Sequence, residues 1–231
     1  MVRLPKLPKK AKMPQKKRNI KRNIGSDPGE KQPLGLRVIG GKFRGSKLKY
    51  SGDNRVRPMK DRTREAVFNL ISTDSKGAHV IDLFAGTGAL AIEAISRGAT
   101  GATVIEVHLQ TMRNLKLNLE ALDLLKLCRL VQSDAFYFIK TLEADFCPKN
   151  EHWLVFCSPP YDFYVNKQQQ DMIQMLQRIY ELAPPGSLLV VEADTRFDFD
   201  LLSFPDVDAR FRTYMPAKIG IYRKPKPETE P

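Results

Sequence analysis

From residue 80 onward the chain repeats one pattern: a short unbroken apolar run, then a longer stretch with apolar residues three and four apart. The runs are Val80 to Phe84, Thr103 to Val107, Cys128 to Gln132, Trp153 to Cys157 and Ser187 to Glu192. Between them Leu109, Met112, Leu115, Leu119 and Leu122 recur at helical spacing, as do Met172, Met175, Ile179 and Leu182. Strands that are apolar throughout must be buried on both faces. Alternating with helices, they predict an α/β fold with a parallel sheet covered by helices on both sides. Ligands of such sheets bind at the carboxyl ends of the strands, so the residues that follow each run are the candidates for chemistry.

Charge is distributed unevenly along the 231 residues. Residues 1 to 24 hold ten Lys/Arg and no acid, residues 36 to 65 have a net charge of +7, and residues 66 to 215 have a net charge of −6. Clustered cations of this kind suit a polyanion, because they release counterions from a phosphate backbone. A solvated solubility tail is the alternative. Residues 1 to 35, with Pro5, Pro8, Pro14, Pro28 and Pro33 and no apolar periodicity, read as a disordered basic arm. A transit peptide is also basic, but the first 24 residues have no Ser and no amphipathic stripe. Leu36 to Ile39 and Ser46 to Tyr50, separated by Gly40, Gly41 and Gly45, predict a basic hairpin within residues 36–56. Arg62 to Ile71 has helical spacing after an Arg57-Pro58 turn, and residues 225–231 read as a short tail. No apolar run approaches the roughly 18 residues of a membrane span, and the N-terminus has no secretory core, so a soluble cytoplasmic protein is expected. Three scattered Cys without a C-x-x-C pair and three separated His argue against a disulfide framework and against a metal site.

The first run continues into Ala85-Gly86-Thr87-Gly88 and then a helical stretch from Ala89 to Arg97, with Gly98 beyond it. Such a loop lets backbone approach a ligand closely. By itself it also fits a dinucleotide fingerprint. Glu106, twenty residues after Gly86 at the end of the next run, is placed to accept hydrogen bonds from two ribose hydroxyls, and Val107 follows it. Both a nicotinamide dinucleotide and S-adenosylmethionine fit this far. Asp82 separates them: a carboxylate there repels a pyrophosphate and suits the ammonium of a methionine moiety. The third run ends at Ser133-Asp134-Ala135-Phe136, which offers an acceptor for an adenine amine and an apolar flank. A helix N-cap is the other reading of Asp134, and a solvated acid the other reading of Glu106.

The fourth run ends in Ser158-Pro159-Pro160-Tyr161. Consecutive prolines donate no backbone hydrogen bonds and hold the preceding carbonyls extended, which makes a rigid acceptor edge. Methyl transfer to an exocyclic amine needs acceptors that orient the N–H bonds and an aromatic face that holds the base. Ser158 Oγ, the Pro159 carbonyl and Tyr161 supply those parts.

Together, Asp82 to Leu90 and Ser158 to Tyr161 resemble the S-adenosylmethionine-dependent amino-methyltransferases. Arg37-Val38-Ile39-Gly40-Gly41-Lys42-Phe43-Arg44-Gly45, Arg57-Pro58, Asp61 to Glu65 and Phe68-Asn69 are similar to the bacterial 16S ribosomal RNA guanine-N2 methyltransferase family. The resemblance covers residues 36–224. It implies a Rossmann-like class I methyltransferase domain with a mostly parallel seven-stranded sheet, completed by an antiparallel strand at Ile219 to Arg223. It further implies a cofactor site of Asp82, Phe84, Ala85, Gly86, Thr87, Gly88, Glu106, Val107, Asp134 and Ala135, and a base site of Ser158 to Tyr161. S-adenosylmethionine is the expected cofactor, S-adenosylhomocysteine its product, and no metal is expected. The expected partner is ribosomal RNA or an assembling small subunit, bound by a monomer through Arg37, Lys42, Arg44, Lys47, Arg57 and Arg62. Rival readings are an adenine-N6 methyltransferase of DNA or RNA, and an idle RNA-binding protein with the same fold. The family usually has an acid where Ser158 stands, a threonine at Met59 and an aspartate at His108.

Overall fold

In the computed structural model, which describes residues 35–50, 52, 57–142, 148, 150–165 and 167–226, each of the five apolar runs contributes a strand. These are β1 (His79–Asp82), β2 (Gly101–Ile105), β3 (Cys128–Val131), β4 (Trp153–Cys157) and β5 (Leu188–Asp194), followed by β6 (Asp208–Tyr214) and β7 (Ala217–Arg223). The helices are α1 (Asp61–Ile71), α2 (Ala89–Ser96), α3 (Leu109–Ala121), α4 (Ala135–Lys140) and α5 (Gln169–Leu182). The seven strands form one sheet in the order β3-β2-β1-β4-β5-β7-β6. The first five are parallel, and β7 runs antiparallel to both β5 and β6. This is the Rossmann-like class I methyltransferase architecture.

Period-two burial on both faces explains why the strands read as continuous apolar runs. Leu154 and Phe156 of β4 pack with α1, α2 and α3 through Phe68, Ile71, Ile92 and Leu115. Trp153, Val155 and Cys157 pack on the other face with α4 and α5 through Ile139, Met172, Leu176 and Ile179. Every residue of β2, β4 and β5 is buried. Two strands begin and end earlier than the apolar runs: β1 stops at Asp82, where the chain enters the glycine loop, and β2 stops at Ile105, where it turns toward α3.

The expected hairpin is smaller than a ribbon. Residues 36–48 make one antiparallel bridge, Arg37 with Lys47, closed by Val38 N–H to Ser46 O at 2.9 Å and Leu48 N–H to Leu36 O at 2.8 Å. Its support comes from the helices beneath it. The buried Glu93 carboxylate of α2 accepts from the backbone N–H groups of Ile39 and Gly40, both at 2.7 Å, and from Arg97 Nε at 2.8 Å. Asn118 of α3 accepts from Lys49 N–H at 2.6 Å and donates to Thr87 O at 2.9 Å, which ties the same segment to the glycine loop. The expected arm lies outside the described residues except for Gly35, as do parts of the 36–56 segment and of the C-terminal tail.

Gly41 shows how closely this segment is docked. Its φ is +73°, and a Cβ there would stand 1.9 Å from the Ser96 carbonyl oxygen, which accepts the Lys42 N–H at 2.7 Å. Gly41→Ala therefore has to break that hydrogen bond and adopt a left-handed backbone, an expected loss on the order of 2 to 4 kcal/mol. Thermal melting should fall by several degrees, and trypsin should cut faster at Arg37, Lys42 and Arg44. An unchanged melting temperature would contradict this account of the docking.

β6 is one of the two edge strands of the sheet, β3 the other. Asp208, Ala209, Arg210, Arg212 and Thr213 are exposed, and only Phe211 and Tyr214 are half-buried.

Candidate active site

Four loops meet at the carboxyl ends of the central strands. The first leaves β1 at Asp82, turns through Gly86 and Gly88, both with positive φ, and enters α2. Gly88 is the N-cap of α2 at φ +79°, with the Leu115 side chain 3.1 Å from where a Cβ would sit, so a larger residue would be strained and crowded. The loop is held from below: Ala85 N–H donates to Ile105 O at 2.9 Å and Gly86 N–H to Glu106 Oε2 at 3.0 Å. Glu106 also accepts His108 N–H at 2.8 Å through Oε1. Each of its oxygens keeps a lone pair for a further donor. Val107 beside it is exposed.

Asp82 is the anomaly of the site. It is fully buried, and neither oxygen completes a hydrogen bond, although the backbone N–H groups of Phe84 and Ala91 lie near enough to favour the ionised form. Burial pushes the carboxyl up to about 7 and nearby Glu106 adds to the effect. A buried acceptor left without donors is costly unless something else satisfies it. A ligand ammonium would do so, and the residues present fit S-adenosylmethionine: Asp82 for its ammonium and Glu106 for its ribose.

At the third strand end Asp134 is the N-cap of α4, its Oδ1 accepting Tyr137 N–H at 3.0 Å, so the capping alternative describes one of its oxygens. Ala135 is buried behind it. Phe84, Phe136 and Phe163 form a ring cluster with centroids 5.9 to 6.4 Å apart, which brings the first, third and fourth loops together.

The fourth loop follows β4. Pro159 is buried and Pro160 exposed, and Pro160 O accepts Phe163 N–H at 3.0 Å in the short 3₁₀ turn Tyr161–Tyr164. Because β1 and β4 are neighbours with Asp82 opposite Phe156, Ser158 lies two residues beyond the partner of Asp82. Ser158 Oγ donates to Glu192 Oε2, and the Tyr161 hydroxyl donates to Glu192 Oε1 at 2.8 Å. Burial, then the Glu192 charge and hydrogen bond, push the Tyr161 phenol well above its ordinary range, while Arg57 pulls the other way. Arg57 thus stands close enough to this loop for its charge to be felt there. Arg196 joins the β5 end to the same loop by ion pairs to the buried Asp194 at 2.7 Å and the exposed Asp162 at 3.0 Å, and because Arg196 is itself exposed neither pair adds much stability.

The six expected phosphate-binding residues, Arg37, Lys42, Arg44, Lys47, Arg57 and Arg62, are all exposed. Arg37 and Arg44 line one cleft together with Arg97 and Glu65. Arg37 also pairs with Asp61 at 3.2 Å, and Lys42 lies over the Phe43 ring. Arg62 is on α1, apart from that cleft. Sequence reading missed three contributors. Glu192 sat inside an apolar run and read as its end, Arg97 read as the close of a helix, and Phe163 followed a motif that had already drawn attention. A carboxylate directly following the apolar residues Leu188 to Val191 was the available signal for Glu192.

A family model described as "Conserved hypothetical protein 95" matches residues 36–206 of the chain. Ribosomal RNA small subunit methyltransferase D of Escherichia coli K12 is 38% identical over 126 residues, which is 54% of this chain and 60% of that protein. The solved structure of the Escherichia coli protein yhhF is 28% identical with a TM-score of 0.64, covering 83% of this chain and 98% of that one. An RNA methyltransferase of Salinibacter ruber, solved with S-adenosyl-L-homocysteine, shares the fold at 19% identity and a TM-score of 0.50, over 76% of this chain and 97% of that one.

Proposed function

Because the chain belongs to the Conserved hypothetical protein 95 family, that of the bacterial ribosomal RNA small subunit methyltransferase D proteins, we propose that it methylates the exocyclic N2 amine of a guanine in 16S ribosomal RNA. The observation that supports this best is the adjacency of an unpartnered buried carboxylate, Asp82, and the Ser158-Pro159-Pro160-Tyr161 edge at neighbouring strand ends. One holds a cation and the other orients an amine. When bound, S-adenosylmethionine supplies a methyl on a cationic sulfur, which keeps the C–S electron pair as the new N–C bond forms.

The protein's part is positioning. Asp82 and Glu106 fix the ligand through its ammonium and ribose, and the backbone of Ala85 to Gly88, with Val107, Asp134 and Ala135, lines its length. Ser158 Oγ and the Pro159 carbonyl accept the two amine hydrogens. That aims the nitrogen lone pair at the methyl carbon, while Tyr161 stacks on the extruded base. Arg37, Lys42, Arg44, Lys47, Arg57 and Arg62 hold the phosphates of naked RNA or of an assembling small subunit.

Labelled-methyl transfer to 16S RNA and to assembling subunits, with nucleoside identification, tests the reading. N2-methylguanosine is expected. N6-methyladenosine would assign the amine to adenine, and binding of cofactor and RNA without transfer would make the chain an idle RNA-binding protein.

The cofactor assignment has its own test. S-adenosylhomocysteine should raise the melting temperature by mass action, and NADH should not. Glu106→Ala removes hydrogen bonds to the ribose and also frees the Gly86 and His108 amides. The expected cost in ligand affinity is about 2 to 3 kcal/mol, read by calorimetry. Stabilisation by NADH alone would reverse the assignment.

A further inference from the structure

We propose that Glu192 is a positioning residue for the transfer, acting through Ser158 as the carboxylate that Ser158 itself lacks. The inference rests on the methyl-transfer reading above.

Serine at this position can accept a hydrogen bond but carries no charge. The structure places a carboxylate directly behind it. β4 and β5 are parallel neighbours with Cys157 opposite Val191, so Ser158, the first residue beyond β4, comes beside Glu192, which is still within β5 and paired there with Ile219 of β7. Glu192 is 6% exposed, and its two oxygens receive the hydroxyls of Ser158 and Tyr161. Both partners are donors here, which leaves the carboxylate as the acceptor of both bonds. With its own hydrogen committed to Glu192, Ser158 Oγ turns only lone pairs toward an incoming amine. The hydroxyl is thereby fixed as an acceptor, and the adjacent negative charge strengthens it.

The same bond gives the proton a destination. As the amine nitrogen gains the methyl it becomes cationic, and one of its N–H bonds breaks. That proton goes to Ser158 Oγ as the hydroxyl proton passes to Glu192 Oε2. The nitrogen ends neutral and methylated, the serine ends unchanged, and the glutamate ends protonated until solvent removes the proton. No further reactant is needed. Tyr161 holds the other glutamate oxygen in place, so the base-stacking ring and the acceptor are set by one carboxylate.

The test compares Glu192→Gln, Ser158→Asp and the double variant in single-turnover transfer to small-subunit RNA across pH 6 to 9, at saturating S-adenosylmethionine. It also follows the alkaline titration of Tyr161 by tyrosinate absorbance, with Tyr161→Phe subtracted. Glu192→Gln should slow transfer about 100-fold with little change in RNA affinity. In that background Ser158→Asp should restore at least about tenfold, because it returns one carboxylate to the edge without a second beside it. Ser158→Asp alone crowds two carboxylates and should move the rate profile to higher pH. The Tyr161 phenol should ionise at lower pH in Glu192→Gln, a change independent of turnover. Full-rate transfer by Glu192→Gln overturns the proposal. So does a slow variant that Ser158→Asp fails to rescue and whose Tyr161 titration is unmoved, since Glu192 would then only pack. If the natural chain methylates no ribosomal substrate, the function reading falls. In that case a moved Tyr161 titration still supports the coupling, and an unmoved one removes it.

Discussion

Asp82→Asn is expected to stabilise the ligand-free protein above pH 7 and to weaken its hold on the cofactor. The carboxyl is buried with no completed hydrogen bond, and burial pushes it up to about 7 in the folded chain against an ordinary 3.8. Between those values the unfolded chain has released the proton and the folded chain has not, so stability falls as pH rises through the window and is flat above it. A gap of about three pKa units corresponds to about 4 kcal/mol. Asparagine abolishes this titration but brings an amide that also lacks partners, worth a loss of about 1 to 3 kcal/mol. The variant should therefore gain about 1 to 3 kcal/mol at pH 8 and gain nothing at pH 4. Urea unfolding at the two pH values measures both. S-adenosylhomocysteine should bind about 10- to 150-fold more weakly, since a charged hydrogen bond contributes about 1.5 to 3 kcal/mol. Identical pH dependence in the two proteins would mean that Asp82 is satisfied in the folded chain. Unchanged affinity would remove it from the ligand site.

Removal of residues 1–34 should lower affinity for RNA without moving the melting temperature of the rest of the chain. Ten positive charges lie in residues 1 to 24, with no acid among them. For single-stranded contacts the logarithmic salt slope is roughly −0.7 per phosphate neutralised, so the slope should lose at most about 7 in magnitude. Because the term is electrostatic, the difference between the two proteins should shrink as salt rises. Fluorescence anisotropy with a small-subunit RNA fragment between low and moderate salt reads it directly. An unchanged slope would make the segment a solubility tail.

Much of the architecture was legible because burial on both faces writes itself into sequence as uninterrupted apolar runs. Trp153 to Cys157 became a strand with the same limits, and the helix expected from Arg62 begins one residue earlier, at Asp61. Short or polar elements escaped. α4 has six residues, too few to show a period, and β6 carries Asp208, Arg210 and Arg212, which leave it without an apolar run. The glycine loop and the Ser158 edge were legible since both need special backbone. Glu192 was not, because its partnership with Ser158 crosses 34 residues of sequence and depends on the β4–β5 register. The Glu93 anchor crosses 54 residues to Ile39 and was hidden for the same reason.

The polarity that disguised β6 also has a bearing on how the chain behaves at high concentration. A sheet must stop somewhere, and among the described residues this one stops at β3 on one side and on the other at β6, a strand seven residues long with its outer row of peptide groups turned away from β7. An uncovered edge of that length can template the addition of a strand from another molecule. Arg210 and Arg212 stand along it, Arg210 paired with Asp208 at 3.0 Å on the surface. A foreign strand could pair here only by stripping water from those guanidinium groups. The edge is thus closed to aggregation by hydration rather than by a covering helix, and replacing both arginines with valine would turn a colloidally inert border into an adhesive one.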